Sequence, residues 1–223
     1  MVAQRALSSS RTAATKSMSH LIFGANTDVG KTVITAGLVR ACKGMYNGAH
    51  YIKPLQCGGS DQSFVLRHFP QETTSASTLF EWDSPTSPHT ASRVENYPID
   101  DKQLKTVLKE RLSVIQAEDA EGRPIWVETA GGVLSPSSSS PKNNSAEHSK
   151  NKAGWGWMTQ GDLYRDFRSE MSVLMIGDGR LGGISATLSS LESLLSRGYN
   201  VAGLILIETG YSNQEAIQEF CSR

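Results

Sequence analysis

The sequence has little of what would mark several protein classes. Only three of its 223 residues are cysteine, Cys42, Cys57 and Cys221. They show no paired metal-ligand spacing and are too few for a disulfide scaffold, so the composition fits a reducing compartment. It has no excess of charge of either sign, with 22 Lys and Arg against 22 Asp and Glu. That balance argues against a basic nucleic-acid-binding domain. No apolar run approaches the roughly 18 residues of a transmembrane helix, so no membrane role is expected. Acidic residues are missing from the start of the chain, where the first is Asp28. Residues 1–19 instead carry Arg5, Arg11 and Lys16 among serines and small residues. This reads as an organellar presequence, mitochondrial by preference and otherwise an ordinary cytoplasmic tail; without an apolar core it is not a secretory signal. Residues 20–223 then form one sizeable domain, long enough to bury a core without metal or disulfides.

What is present is a regular alternation. Apolar runs of strand length stand at 20–25, 49–54, 125–130, 172–179 and 201–208. Helical patterns lie between them, from Lys31 to Lys43, over 100–120 with Leu104, Val107, Leu108, Leu112 and Ile115 in phase, and over 184–198, where Gly198 stops the helix. Strands alternating with helices predict an α/β fold, a doubly wound and mainly parallel sheet. The near-continuous apolar character of the strands fits a sheet covered on both faces. Residues 135–153 break the rhythm with SPSSSSPKNN and almost no apolar side chain, and are expected to be a flexible surface insertion.

The sharpest signal is GANTDVGKT, residues 24–32, between a predicted strand and a predicted helix. In that context it is a P-loop, which makes the fold a P-loop NTPase type. Backbone N–H groups of such a loop wrap phosphates, and the helix N-terminus adds positive potential. The expected nucleotide-binding set is Thr27, Asp28, Val29, Gly30, Lys31 and Thr32. Lys31 would reach the β- and γ-phosphates, and Thr32 would place its hydroxyl on Mg²⁺. Five residues rather than four separate Gly24 from Gly30. A P-loop enzyme also needs a carboxylate at a strand end for Mg²⁺, and Glu128 and Asp178 both qualify. Lys53 follows an apolar strand and precedes Pro54, which is expected to end that strand and leave a cation at the carboxyl edge of the sheet.

GANTDVGKT, YIKPLQCG (51–58), SPHTASRVE (87–95), WVETAGG (126–132) and DGRLGGISATL (178–188) occur in that order. The set resembles the dethiobiotin synthetases over roughly residues 20–210, whose phosphate loop has the same unusual spacing. The VETAGG and GDGRLGGI forms look most like the fused eukaryotic enzymes, in which this domain precedes an aminotransferase. The resemblance implies ATP- and Mg²⁺-dependent closure of the ureido ring of dethiobiotin from 7,8-diaminopelargonate and CO2, in a homodimer. It implies catalytic roles for Lys31, Lys53 and Cys57, the last standing where the family has a hydroxyl donor. It implies a Mg²⁺ shell of Thr32, Asp61 and Glu128, and a nucleotide and substrate contact for Thr27. Ala25 and Asn26 depart from the family's loop, and its base-reading Asn is absent from LILIETG (204–210). His89 matches the family motif without a chemical step. Trp155 and Trp157 would anchor the insertion. The family continues beyond the end of this chain, so a C-terminally incomplete domain is expected. A related ligase of cobyrinate-synthase type and a non-catalytic nucleotide-binding module are the competing readings.

Overall fold

The computed structural model describes residues 18–138 and 158–222. The presequence-like segment lies almost wholly outside the described residues. So do most of the expected insertion and, beside it, Trp155 and Trp157. The first residues of the insertion are described: Ser137 and Ser138 are buried, bonded to the Asp101 carboxylate and the Ile99 carbonyl.

Among the described residues six strands form one sheet in the order β3-β2-β4-β1-β5-β6. They are β1 (Ser19–Gly24), β2 (Ala49–Cys57), β3 (Thr73–Trp82), β4 (Ile125–Gly132), β5 (Met171–Ile176) and β6 (Val201–Ile205). Every pairing between them is parallel. The helices are α1 (Lys31–Tyr46), α2 (Asp61–His68), α3 (Pro88–Val94), α4 (Asp101–Glu118), α5 (Gln160–Leu163), α6 (Gly183–Ser196) and α7 (Asn213–Cys221).

Side-chain alternation divides the core in two. On β1, Leu21 and Phe23 join the cluster that holds Leu104, Leu108 and Leu112 of α4 and Leu194 of α6. Ile22, between them, joins Ala36, Val39 and Cys42 of α1 and Val65 of α2. A strand with opposite residues in two separate cores is covered on both faces, as a doubly wound sheet requires.

β5 and β6 each end three residues before their apolar runs do, at Ile176 and Ile205, and two larger differences lie on the other side of the sheet. β2 does not end at Pro54 but continues to Cys57. It leaves β4 after Ile52 and pairs onward only with β3, so Pro54 sits where one side of the ladder has already opened and its missing N–H costs little. β3 has no counterpart in the hydrophobic pattern. TTSASTLFEW is largely small and polar, as suits an edge strand whose side chains are mostly half-buried.

Candidate active site

The site lies where β1, β2 and β4 end. α1 begins at Lys31 directly after the 24–30 loop. Its N-cap is Gly30 at φ 89°, a conformation that glycine adopts without strain. No side chain caps this helix and no acidic residue stands in its first turn. The N–H groups of the first turn therefore remain for an anion. Gly24 is required for another reason: a Cβ there would meet the Asn26 carbonyl oxygen of the loop backbone at 2.8 Å, with Lys31 Nζ next at 2.9 Å. The lysine folds back over the loop and donates to the Asn26 carbonyl at 3.2 Å.

On the neighbouring strands, the parting of β2 from β4 leaves room that Lys53 fills. Its ammonium lies 2.8 Å from Glu128 Oε1 and 2.6 Å from Asp61 Oδ2. Glu128 is fully buried, and Thr32 Oγ1 and Tyr51 OH also donate to it, at 2.9 and 3.1 Å. Sequence reasoning passed over Tyr51. It lies two residues before Lys53 on the same strand and thus on the same face, a period-2 signal available from the start.

Thr27, Asp28, Gly30, Lys31, Thr32, Lys53, Cys57, Asp61 and Glu128 all line one cleft of about 770 Å³, with Thr86 and Ser87 forming part of its wall. Two expected residues stand apart. The Val29 side chain packs in the core beneath α1, so only its backbone faces the loop. Asp178 does not line the cleft and pairs with Arg180. Of the two strand-end carboxylates, Glu128 is therefore the one beside Thr32. His89 is held by Ser87, whose Oγ lies 2.8 Å from Nδ1, in the turn that starts α3.

The charges are set by burial and by one another. Burial, then repulsion from Lys53, pushes Lys31 down to about 8. Burial alone would also lower Lys53, but the Glu128 and Asp61 carboxylates outweigh it and hold the ammonium charged. The Tyr51 hydroxyl is driven well above its ordinary value by burial and by Glu128, so it remains a donor. Burial, with the Glu95 carboxylate second, pushes the Cys57 thiol up to about 12. Cys57 is thus a neutral thiol at the cleft wall and a weak hydrogen-bond donor.

The Thr32 hydroxyl and two carboxylates, gathered around one ammonium, form a set of hard oxygen donors. Such a set fits Mg²⁺ completed by water and phosphate oxygens. With two adjacent buried lysines and an uncapped helix end, the cleft can gather several negative charges and stabilise charge that shifts between them.

Comparison with known proteins follows the same line. A family model described as AAA domain matches residues 19–145. A bifunctional dethiobiotin synthetase/adenosylmethionine-8-amino-7-oxononanoate aminotransferase of Emericella nidulans is 37% identical over 197 residues, covering 86% of this chain and 22% of its own length. A bifunctional dethiobiotin synthetase/7,8-diamino-pelargonic acid aminotransferase, mitochondrial, of Oryza sativa is 30% identical, covering 89% of this chain and 29% of its own. An ATP-dependent dethiobiotin synthetase of Clostridium kluyveri is 28% identical over 200 residues, covering 83% of this chain and 72% of its own. The chain thus spans less than a third of the length of the fungal and rice relatives.

Proposed function

This chain belongs to the AAA domain family, and from that premise we propose that it closes the ureido ring of dethiobiotin from 7,8-diaminopelargonate and CO2, using ATP. The observation that carries the reading is the single cleft in which Lys31, Thr32, Lys53, Asp61 and Glu128 meet. The names of the fungal, rice and clostridial relatives support it.

In this reading the ATP phosphates rest on the loop from Thr27 to Thr32 and on the first turn of α1, with Lys31 against the terminal phosphates. Thr32, Asp61 and Glu128 would hold Mg²⁺, which when bound would neutralise phosphate charge. One substrate amine adds to CO2 to give a carbamate. A carbamate oxygen attacks the γ-phosphorus, ADP leaves, and a carbamic-phosphoric anhydride forms. The second amine attacks the anhydride carbon, phosphate leaves and the ring closes. Two anions must be held together and charge moves along the phosphoryl group as it transfers, so clamping and positioning are the main levers. Lys31 and Lys53 bracket the γ-phosphate and the carbamate. The raised thiol of Cys57 contributes at most a weak bond, leaving most charge stabilisation to the two lysines and the metal.

The same reading extends to the surroundings of the enzyme. A mitochondrial location is supported by the acid-free first 19 residues and by the name of the rice relative. An aminotransferase fused to this domain is supported by the names of the fungal and rice relatives. A homodimer is supported by the family resemblance alone.

Incubation of the protein with 7,8-diaminopelargonate, bicarbonate, ATP and Mg²⁺ tests the proposal. Dethiobiotin and ADP should form in equal amounts, and only when all four are present. ATP binding without dethiobiotin would overturn the synthetase reading in favour of a nucleotide-binding module or another ligase.

A further inference from the structure

Behind the cleft wall lies a second polar cluster that the reaction does not use. Arg180, in the loop between β5 and α6, grips the Asp178 carboxylate with both arms of its fork, Nε to Oδ1 at 2.9 Å and Nη2 to Oδ2 at 2.8 Å. The same Nη2 donates to the Thr27 carbonyl of the phosphate loop at 3.2 Å.

The cluster is anchored from behind. The Asp178 N–H donates to Thr187 Oγ1 of α6 at 2.9 Å. Asn213, buried at the start of α7, donates through Nδ2 to the carbonyls of Asp178 at 3.0 Å and Arg180 at 2.8 Å. At Gly183 an added Cβ would overlap the Asp178 carbonyl, so the turn has no slack.

What the cluster holds is a costly conformation. Asp28 follows Thr27 at φ 57°, in the left-handed region, which Asp adopts more readily than most residues with a Cβ but still at some cost. Residues 26–28 are exposed, and their other bonds, from Lys31 to the Asn26 carbonyl and from the Thr27 N–H to Asn26 Oδ1, leave the Thr27–Asp28 peptide itself to Arg180. Arg180 fixes the Thr27–Asp28 peptide from its carbonyl side. A lysine could not substitute, since one ammonium does not span a carboxylate edge and a separate carbonyl as a planar fork does.

We propose that Arg180 is a positioning residue for the phosphate loop: linked to Asp178 and anchored by Asn213, it holds residues 26–30 in the shape that receives a nucleotide, and so makes nucleotide affinity depend on α7. The inference rests on the nucleotide reading of the cleft.

Three measurements on the full chain test it, using Arg180→Ala and Arg180→Lys. Amide hydrogen exchange without nucleotide should accelerate in both variants over residues 26–30 and remain unchanged in the strands. Calorimetric titration with ATP and Mg²⁺ should show affinity about tenfold weaker for Arg180→Ala, the loss of one charge-assisted bond, with Arg180→Lys recovering only part. The KM for ATP should rise more than kcat falls. Loop exchange and ATP affinity within about twofold of the parent protein, below the loss of one such bond, would overturn the inference. A parent protein that binds no ATP would instead overturn the nucleotide reading, and this inference with it.

Discussion

Replacing Lys53 by Met keeps most of the side-chain volume and removes only the charge, which isolates what the ammonium does. In the folded protein Lys53 is 4% exposed and Glu128 is 0% exposed. Without the ammonium, Glu128 keeps the Thr32 and Tyr51 hydroxyls but has no cation at 2.8 Å. Asp61, whose side chain is 28% exposed, can recover water instead. Breaking a buried ion pair costs about 3–5 kcal/mol, and the two remaining donors place this case near 3 kcal/mol. For a chain of this size that lowers the melting temperature by about 6–12 °C. Glu128→Gln in the same chain removes the stranded charge, so the double variant should regain about half of the loss. If the two substitutions simply add, with coupling below about 0.5 kcal/mol, the buried pair is not the source of the effect. In the dethiobiotin assay the same Lys53→Met should reduce kcat/KM by about 100-fold or more, with a much smaller change in ATP affinity. Near-full turnover would refute the role given to Lys53.

Thr32→Val keeps the shape but removes both the hydroxyl and its 2.9 Å bond to Glu128, so titration should show Mg²⁺-dependent ATP binding weakened while binding without metal changes little. Iodoacetamide at pH 8, followed by peptide mass mapping, should label the exposed Cys221 and leave Cys57 almost untouched, since a thiol near 12 has roughly a thousandth of the ordinary thiolate fraction. Arg180 holds Asp178 below the usual carboxylate range. The unfolded chain therefore binds the proton more readily, and the stability this confers is present above about pH 4 and is lost as pH falls through the lower native value. Asp178→Asn should accordingly be less stable than the parent protein at pH 7, with the gap closing toward pH 3 in denaturant titrations; a gap independent of pH would count against the ion pair.

Much of the fold was legible because it depends on local pattern. Continuous apolar runs marked β1, β2, β4, β5 and β6, since buried parallel strands leave no polar face, and the 3.6-residue period marked α1, α4 and α6. β3 was invisible for the converse reason. An edge strand of Thr, Ser and Ala is held by pairing with β2, a contact with no sequence period of its own. The end of β2 was misplaced by a local rule about Pro54 that the opening of the ladder beside β4 makes irrelevant.

At the site the division is similar. Loop composition and spacing alone determined a phosphate loop opening α1, because glycine placement and an uncapped helix start are properties of a short segment. The order of five short motifs determined which family the chain resembles. Neither told Glu128 from Asp178 as the carboxylate beside Thr32, nor linked Arg180 to Thr27 across 153 positions. Those assignments depend on strand order: β4 lies between β2 and β1, which leads into α1, so Glu128 meets Lys53 of β2 and Thr32 of α1, while Asp178, beyond β5, turns to Arg180. Residue types can be read along the chain, but an electrostatic partner is set by distance in space, and only the tertiary structure supplies that distance.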